Sequence, residues 1–177
     1  FDGSRLTLDE NITRTAAVVE YGQRHGASVE GEIGFVGYDS GENSKATTPS
    51  DAARLASETG LDALAVSVGN VHLQQRKKAD INLKHLAEIE AAVACPLVIH
   101  GASGVPADMR RHLATQTGVC KFNIGTEFRQ CFGNSLRRIL EDEKDIFDRI
   151  AILNKTRRPL QLIAEEAIEN LKPTKNK

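Results

Sequence analysis

Pro96-Leu97-Val98-Ile99-His100-Gly101-Ala102-Ser103-Gly104-Val105-Pro106 is the stretch from which the fold can be read. Its opening residues are apolar without a polar break, the pattern of a short strand covered on both faces in a parallel sheet. A histidine closes the run, a glycine-rich turn follows, and Pro106 suits the start of a helix. Strand, turn and helix in that order make one unit of a parallel α/β architecture.

The unit recurs on either side. Residues 28–33, 63–68, 96–99 and 119–124 have strand length, and Phe1-Asp2-Gly3 reads as the end of a fifth strand. Helical patterns lie between them. Asp9 can cap a helix that runs to about His25, with Gly26 as its stop. Thr48-Pro49 opens the next, ended by Gly60, and Asn82 can cap residues 83–94, where Leu83, Leu86, Ile89 and Val93 share a face. Pro106 opens another that closes at Gly118; residues 127–140 and 159–171 are helical with no further strand. Two architectures fit this order, a doubly wound sheet and a TIM (β/α)8 barrel. A barrel needs about 250 residues, so these 177 residues would be its later βα units, about five strands, with roughly three units missing upstream. The abrupt opening on Phe1-Asp2-Gly3-Ser4, without a Met, reads as a chain cut within an element. The expectation is one domain over 1–177, with the site on 1–126 and C-terminal helices on 127–177.

Composition excludes several classes of function. Twenty-three basic and 24 acidic residues give a net charge of −1, so no electrostatic footprint for nucleic acid or an anionic membrane is expected. No run of 18 apolar residues and no signal-like N-terminus exist. Cys95, Cys120 and Cys131 are an odd, widely spaced set. That set argues against a disulfide framework and fits a reducing cytoplasm. Any metal would then be held by histidine and carboxylate.

Polar residues gather where the strands end: Asp2 and Ser4, Glu30 and Glu32, Asn70 and His72, His100 and Ser103, Asn123 and Thr126. In both architectures that edge carries the active site. His72, His100 and Glu32 close successive units, and two imidazoles with a carboxylate suit Zn²⁺ with an open position. The alternative is a loop histidine and a core histidine bonded to backbone. His25, His85 and His112 fall on helices and read as surface residues. The Gly101–Gly104 turn, with a helix start behind it, favours an anion, as does Asn123-Ile124-Gly125-Thr126 one unit later. Residues 35–48, with Asp39, Gly41, Glu42 and Asn43 and few apolar anchors, read as a lid. Arg76, Lys77 and Lys78 could reach a second phosphate or be solvated.

At these residues the chain resembles a known family. Phe1-Asp2-Gly3-Ser4 with Glu10-Asn11-Ile12, Val29-Glu30-Gly31-Glu32-Ile33-Gly34, Ala65 to His72, Pro96 to Gly104, and Lys121-Phe122-Asn123-Ile124-Gly125-Thr126-Glu127 are similar, in order, to the motifs of class II metal-dependent fructose- and tagatose-bisphosphate aldolases. The resemblance implies a TIM barrel and a carbon–carbon lyase of carbohydrate metabolism and glycolysis. The reaction would be reversible cleavage of fructose 1,6-bisphosphate to dihydroxyacetone phosphate and glyceraldehyde 3-phosphate. Tagatose bisphosphate is the alternative substrate, and a truncated barrel that binds without turnover the alternative class. It implies that His72 and His100 hold Zn²⁺, with Glu32 and Asp2 as alternative ligands or supports. Backbone at Val71, Gly101 and Ser103 would hold a monovalent cation (Na⁺ or K⁺). Gly101, Ser103, Asn123 and Thr126 would hold substrate phosphate and hydroxyls. It also implies a cytoplasmic homo-oligomer acting on a sugar bisphosphate, with neither nucleic acid nor membrane as partner. The catalytic base is expected upstream of Phe1. Leu73, Ala102 and Gly125 depart from the commoner motif residues.

Overall fold

The computed structural model describes residues 1–37, 44–70 and 80–173. Strands and helices alternate as α1 (Leu8–Arg24), β1 (Glu30–Ile33), α2 (Pro49–Thr59), β2 (Ala63–Val66), α3 (Leu83–Ala92), β3 (Leu97–Ile99), α4 (Ala107–Gln116), β4 (Val119–Phe122), α5 (Thr126–Asp142) and α6 (Arg149–Glu169). A single 3-10 turn, Ala102–Gly104, sits between β3 and α4.

The helix boundaries follow local chemistry. The N-cap of α1 is Thr7 rather than Asp9: Glu10 N–H donates to the Thr7 hydroxyl, and Thr7 N–H donates back to the Glu10 carboxylate. That reciprocal pair needs a three-residue spacing, which Thr7 has and Asp9 lacks. Thr48 and Asn82 cap α2 and α3 as expected, and Gly60 ends α2 in the left-handed region. Pro159 does not open a helix; it lies inside α6, which begins after its cap Asp148. The side of α6 that carries Ile152, Thr156, Leu160, Ile163 and Ala167 keeps a helical repeat through the proline, and packing against α5 holds it.

All four strands are parallel and lie in the order β1-β2-β3-β4. Asp2 bridges Glu32 in parallel at the outer edge of β1, so the Phe1-Asp2-Gly3 segment does line up as a further strand end. A doubly wound sheet reverses its strand order at a switch point; the order here only advances. Each connection passes through one helix, and α1, α2 and α3 pack on one another in sequence.

Strand side chains alternate between two faces. Ile33, Leu64, Val66, Leu97 and Ile99 face the helices and merge with Leu55, Leu86, Ile89 and Leu113 into one apolar cluster. Each of these side chains stabilises the fold by about 1.5–3 kcal/mol when fully buried. The opposite face is set by the pairings Glu30↔Ala63, Glu32↔Ala65, Ala65↔Val98 and Val98↔Lys121. A bulge between Leu97 and Val98 adds Cys120 to β4, and that extra residue puts Lys121 opposite Val98. On this face Lys121 Nζ meets Glu30 Oε2 at 2.6 Å. In a flat sheet β1 and β4 would stand about 14 Å apart, so the sheet curls toward these side chains. Ala63 and Ala65 on β2 leave the space they cross.

Candidate metal and anion site

The concave end of the sheet gathers charge around one imidazole. His100 follows β3, and its Nε2 lies 2.9 Å from Glu30 Oε1. Its Nδ1 lies 3.2 Å from Glu32 Oε2. Glu30 and Glu32 are two apart on β1, so both point to this face. Burial alone would push His100 below the ordinary histidine range, but its bonds to Glu32 and Glu30 outweigh that and raise it. Burial would likewise raise Glu30; Lys121 and His100 hold it below the ordinary carboxylate value instead. The same balance lowers Asp2, where bonds from Ser4 and the field of His100 overcome burial.

The backbone holding these groups is built with care for close approach. A Cβ on Gly3 would stand 2.0 Å from the Asn11 side-chain oxygen. Its absence lets buried Asn11 donate to Glu32 O at 2.9 Å, which ties α1 to the strand that carries both glutamates. Asn70, fully buried, donates to His100 O and to Val66 O and so joins the ends of β2 and β3. Its side chain is therefore a fastening within the scaffold.

The turn after His100 and the start of α5 form a second feature. Ala102 N–H donates to Asn123 O, and Gly104 and Val105 N–H close the turn on Gly101 and Ala102. Three N–H groups of the glycine-rich turn are thus engaged within the protein, fewer being bare than the sequence suggests. Buried Ser103 accepts from Glu127 N–H at 3.3 Å and retains its own hydroxyl proton to donate. Gly101, Asn123 and Thr126 are half-buried around it, Thr126 opening α5.

The sequence-predicted residues divide accordingly. Asp2, Glu32 and His100 come together, and so do Gly101, Ser103, Asn123 and Thr126. Val71, His72, Arg76, Lys77 and Lys78 lie outside the described residues, as do Asp39, Gly41, Glu42 and Asn43. Among the described residues no group of three or more His, Cys, Asp or Glu is arranged to hold a metal ion. The neck of the 35–48 loop is anchored more firmly than expected. Val36 is buried, Phe35 and Lys45 exchange both backbone bonds at 2.8 Å, and Thr47 Oγ1 donates to Ile33 O. His85 also departs from a plain surface role, with its Nε2 2.6 Å from Thr47 O. Lys121 was the missed member, and Glu30 was named at a strand end without a role. Glu-x-Glu is the period-two signal that puts Glu30 on the face of Glu32, whereas the place of Lys121 depends on the bulge in β4.

A model of the class II fructose-bisphosphate aldolases matches residues 1–176. The chain is 35% identical over 150 residues to the 6-phospho-5-dehydro-2-deoxy-D-gluconate aldolase of Bacillus subtilis (strain 168), covering 83% of this chain and 51% of that protein. It is 35% identical over 184 residues to the fructose-bisphosphate aldolase of Streptococcus pyogenes serotype M1, covering 96% of this chain and 62% of that one. The chain thus spans about half to three-fifths of the length of these relatives. Among solved structures it resembles the YdjI aldolase of Escherichia coli K12, with TM-score 0.75 and 27% identity over 97% of this chain and 58% of that one. A fructose-bisphosphate aldolase of Campylobacter jejuni shares the fold, with TM-score 0.76 and 22% identity over 96% of this chain and 59% of that one.

Proposed function

The chain belongs to the class II fructose-bisphosphate aldolase family, and from that membership we propose that its sheet is an arc of a TIM barrel whose strand ends bind Zn²⁺ and a sugar phosphate for reversible aldol cleavage. The proposed substrate is fructose 1,6-bisphosphate, split to dihydroxyacetone phosphate and glyceraldehyde 3-phosphate. The curl of the sheet, the advancing strand order and the charged concave face support the arc.

The single observation that carries the reading is the setting of His100. Its Nδ1 and Glu32 Oε2 face each other at 3.2 Å. Two ligands at about 2.05 Å from a tetrahedral zinc ion stand about 3.3 Å apart, so this pair fits one edge of such a site. Glu30 on the other ring nitrogen is the kind of partner that orients a ligating histidine. His72 would supply a second imidazole and Asp2 an alternative carboxylate. A bound Zn²⁺ would act as a Lewis acid on the ketose carbonyl.

The chain's own groups do the remaining work. Gly101, Ser103, Asn123 and Thr126 would hold the phosphate, Ser103 by its hydroxyl proton and Thr126 by the N-terminal end of α5. Backbone at Val71, Gly101 and Ser103 would seat a monovalent cation beside it. No Schiff-base lysine is required: Lys121 is paired with Glu30 rather than desolvated among apolar groups.

The test is zinc binding and turnover together. In the intact enzyme a chelator should abolish cleavage of fructose 1,6-bisphosphate and zinc should restore it, with tagatose 1,6-bisphosphate and 6-phospho-5-dehydro-2-deoxy-D-gluconate assayed beside it. His100→Ala should lose zinc. A full equivalent of zinc in that variant would overturn the assignment.

A further inference from the structure

One buried cation is not used by the reading above. Arg110, one turn into α4, is fully buried. Its Nη2 donates to Glu127 Oε1 at 2.8 Å. Its Nε and Nη1 are buried too and have no hydrogen-bond partner among the described residues. A guanidinium with two unmatched nitrogens, three N–H donors, inside a protein is costly, so a positive charge kept there calls for a reason.

Its neighbours supply one. Glu127 stands in the first turn of α5, next to Thr126. Its N–H goes to Ser103 Oγ, which lashes α5 to the turn after His100. The same two segments are joined by Ala102 N–H to Asn123 O. A carboxylate placed here would repel a phosphate held by those segments. A cation paired with it can hold that carboxylate off and offset its field.

We propose that Arg110 is a positioning residue for the phosphate cradle. It draws the Glu127 carboxylate back between α4 and α5, neutralises it, and so keeps the field at Gly101, Ser103 and Thr126 positive for a phosphate dianion. This rests on the phosphate reading of that cradle. It adds a residue that sequence motifs at the strand ends do not reach, since Arg110 lies a turn into the helix.

The two partners should act in opposite senses, which separates an electrostatic role from a structural one. Glu127→Gln keeps the backbone N–H to Ser103 and an oxygen for Arg110 but removes the negative charge. Titration of the chain with inorganic phosphate should show that Glu127→Gln binds it more tightly, by several-fold. Arg110→Met should bind more weakly, on the order of tenfold, the weight of one charge about 12 Å away at an effective dielectric of about 20. If both variants weaken binding alike, or neither changes it, the proposal falls while the cradle stands. If the wild-type chain binds no phosphate, the cradle reading falls and this inference with it. Should Arg110→Met fail to fold, tightening or loosening in Glu127→Gln decides by itself.

Discussion

The two faces of the sheet are made from the same strands and hold together by different physics. On the helix-facing side Leu64, Val66, Leu97 and Ile99 are apolar and at most 1% exposed. The concave side alternates with it and carries Glu30, Glu32 and Lys121 around two alanines and a valine. One face gives non-directional burial that scales with area. The other gives a few directed ion pairs whose net stabilisation is small but whose geometry places a histidine. Fold and site are therefore separable within a strand only four residues long.

Substitutions can break that separation or sharpen it. The largest effect is expected on the apolar side: Leu64→Ala should cost about 2–5 kcal/mol in denaturant unfolding, with the titration of His100 by NMR unchanged. A shift at His100 would mean that the two faces are coupled. Next is Ala65→Leu, which fills the gap on β2. It should cost about 1–3 kcal/mol from overpacking and part His100 from Glu32, so that His100 titrates closer to its ordinary value. An unmoved His100 would show that the small residues of β2 are not what gives it access to β1.

Lys121→Met should have the smallest effect, under about 1 kcal/mol, because Lys121 is half exposed. Its pH dependence is more telling than its size. Glu30 is lowered on folding, so its contribution is present above the ordinary carboxylate value and is lost as pH falls through the lowered one. The gap between wild type and Lys121→Met should therefore close in acid. His100 is raised, so its contribution is complete below the ordinary histidine value and fades as pH rises through the raised one. A gap that persists in acid would mean that Lys121 acts through something other than Glu30.

Much of this was legible in the sequence. Pro96 to Pro106 announced strand, turn and helix, and the structure has them, with β3 as Leu97–Ile99 and α4 starting at Ala107. His100, Glu32 and Asp2 were picked out by lying at strand ends; His100 and Glu32 meet at 3.2 Å, and Asp2 adjoins Glu32 through a backbone bridge. What escaped was set by partners distant in sequence. Nothing near Glu30 reveals Lys121, since the bulge at Cys120 that aligns them belongs to strand pairing. Likewise α6 runs through Pro159 because α5 packs along it, which no local propensity encodes. Arg110 carries no mark in the sequence that sets it apart; its burial comes from packing.

The Lys121–Glu30 contact joins residues 91 apart and lies across two intervening strands. Neighbouring strands pair over much shorter stretches of chain, so closure of the smaller loops comes first and this clasp last. A bond made after the rate-limiting step holds the door rather than opening it. Its removal should leave the refolding rate alone and speed unfolding. An ion pair that adds little to equilibrium stability would then be a brake on escape from the native state.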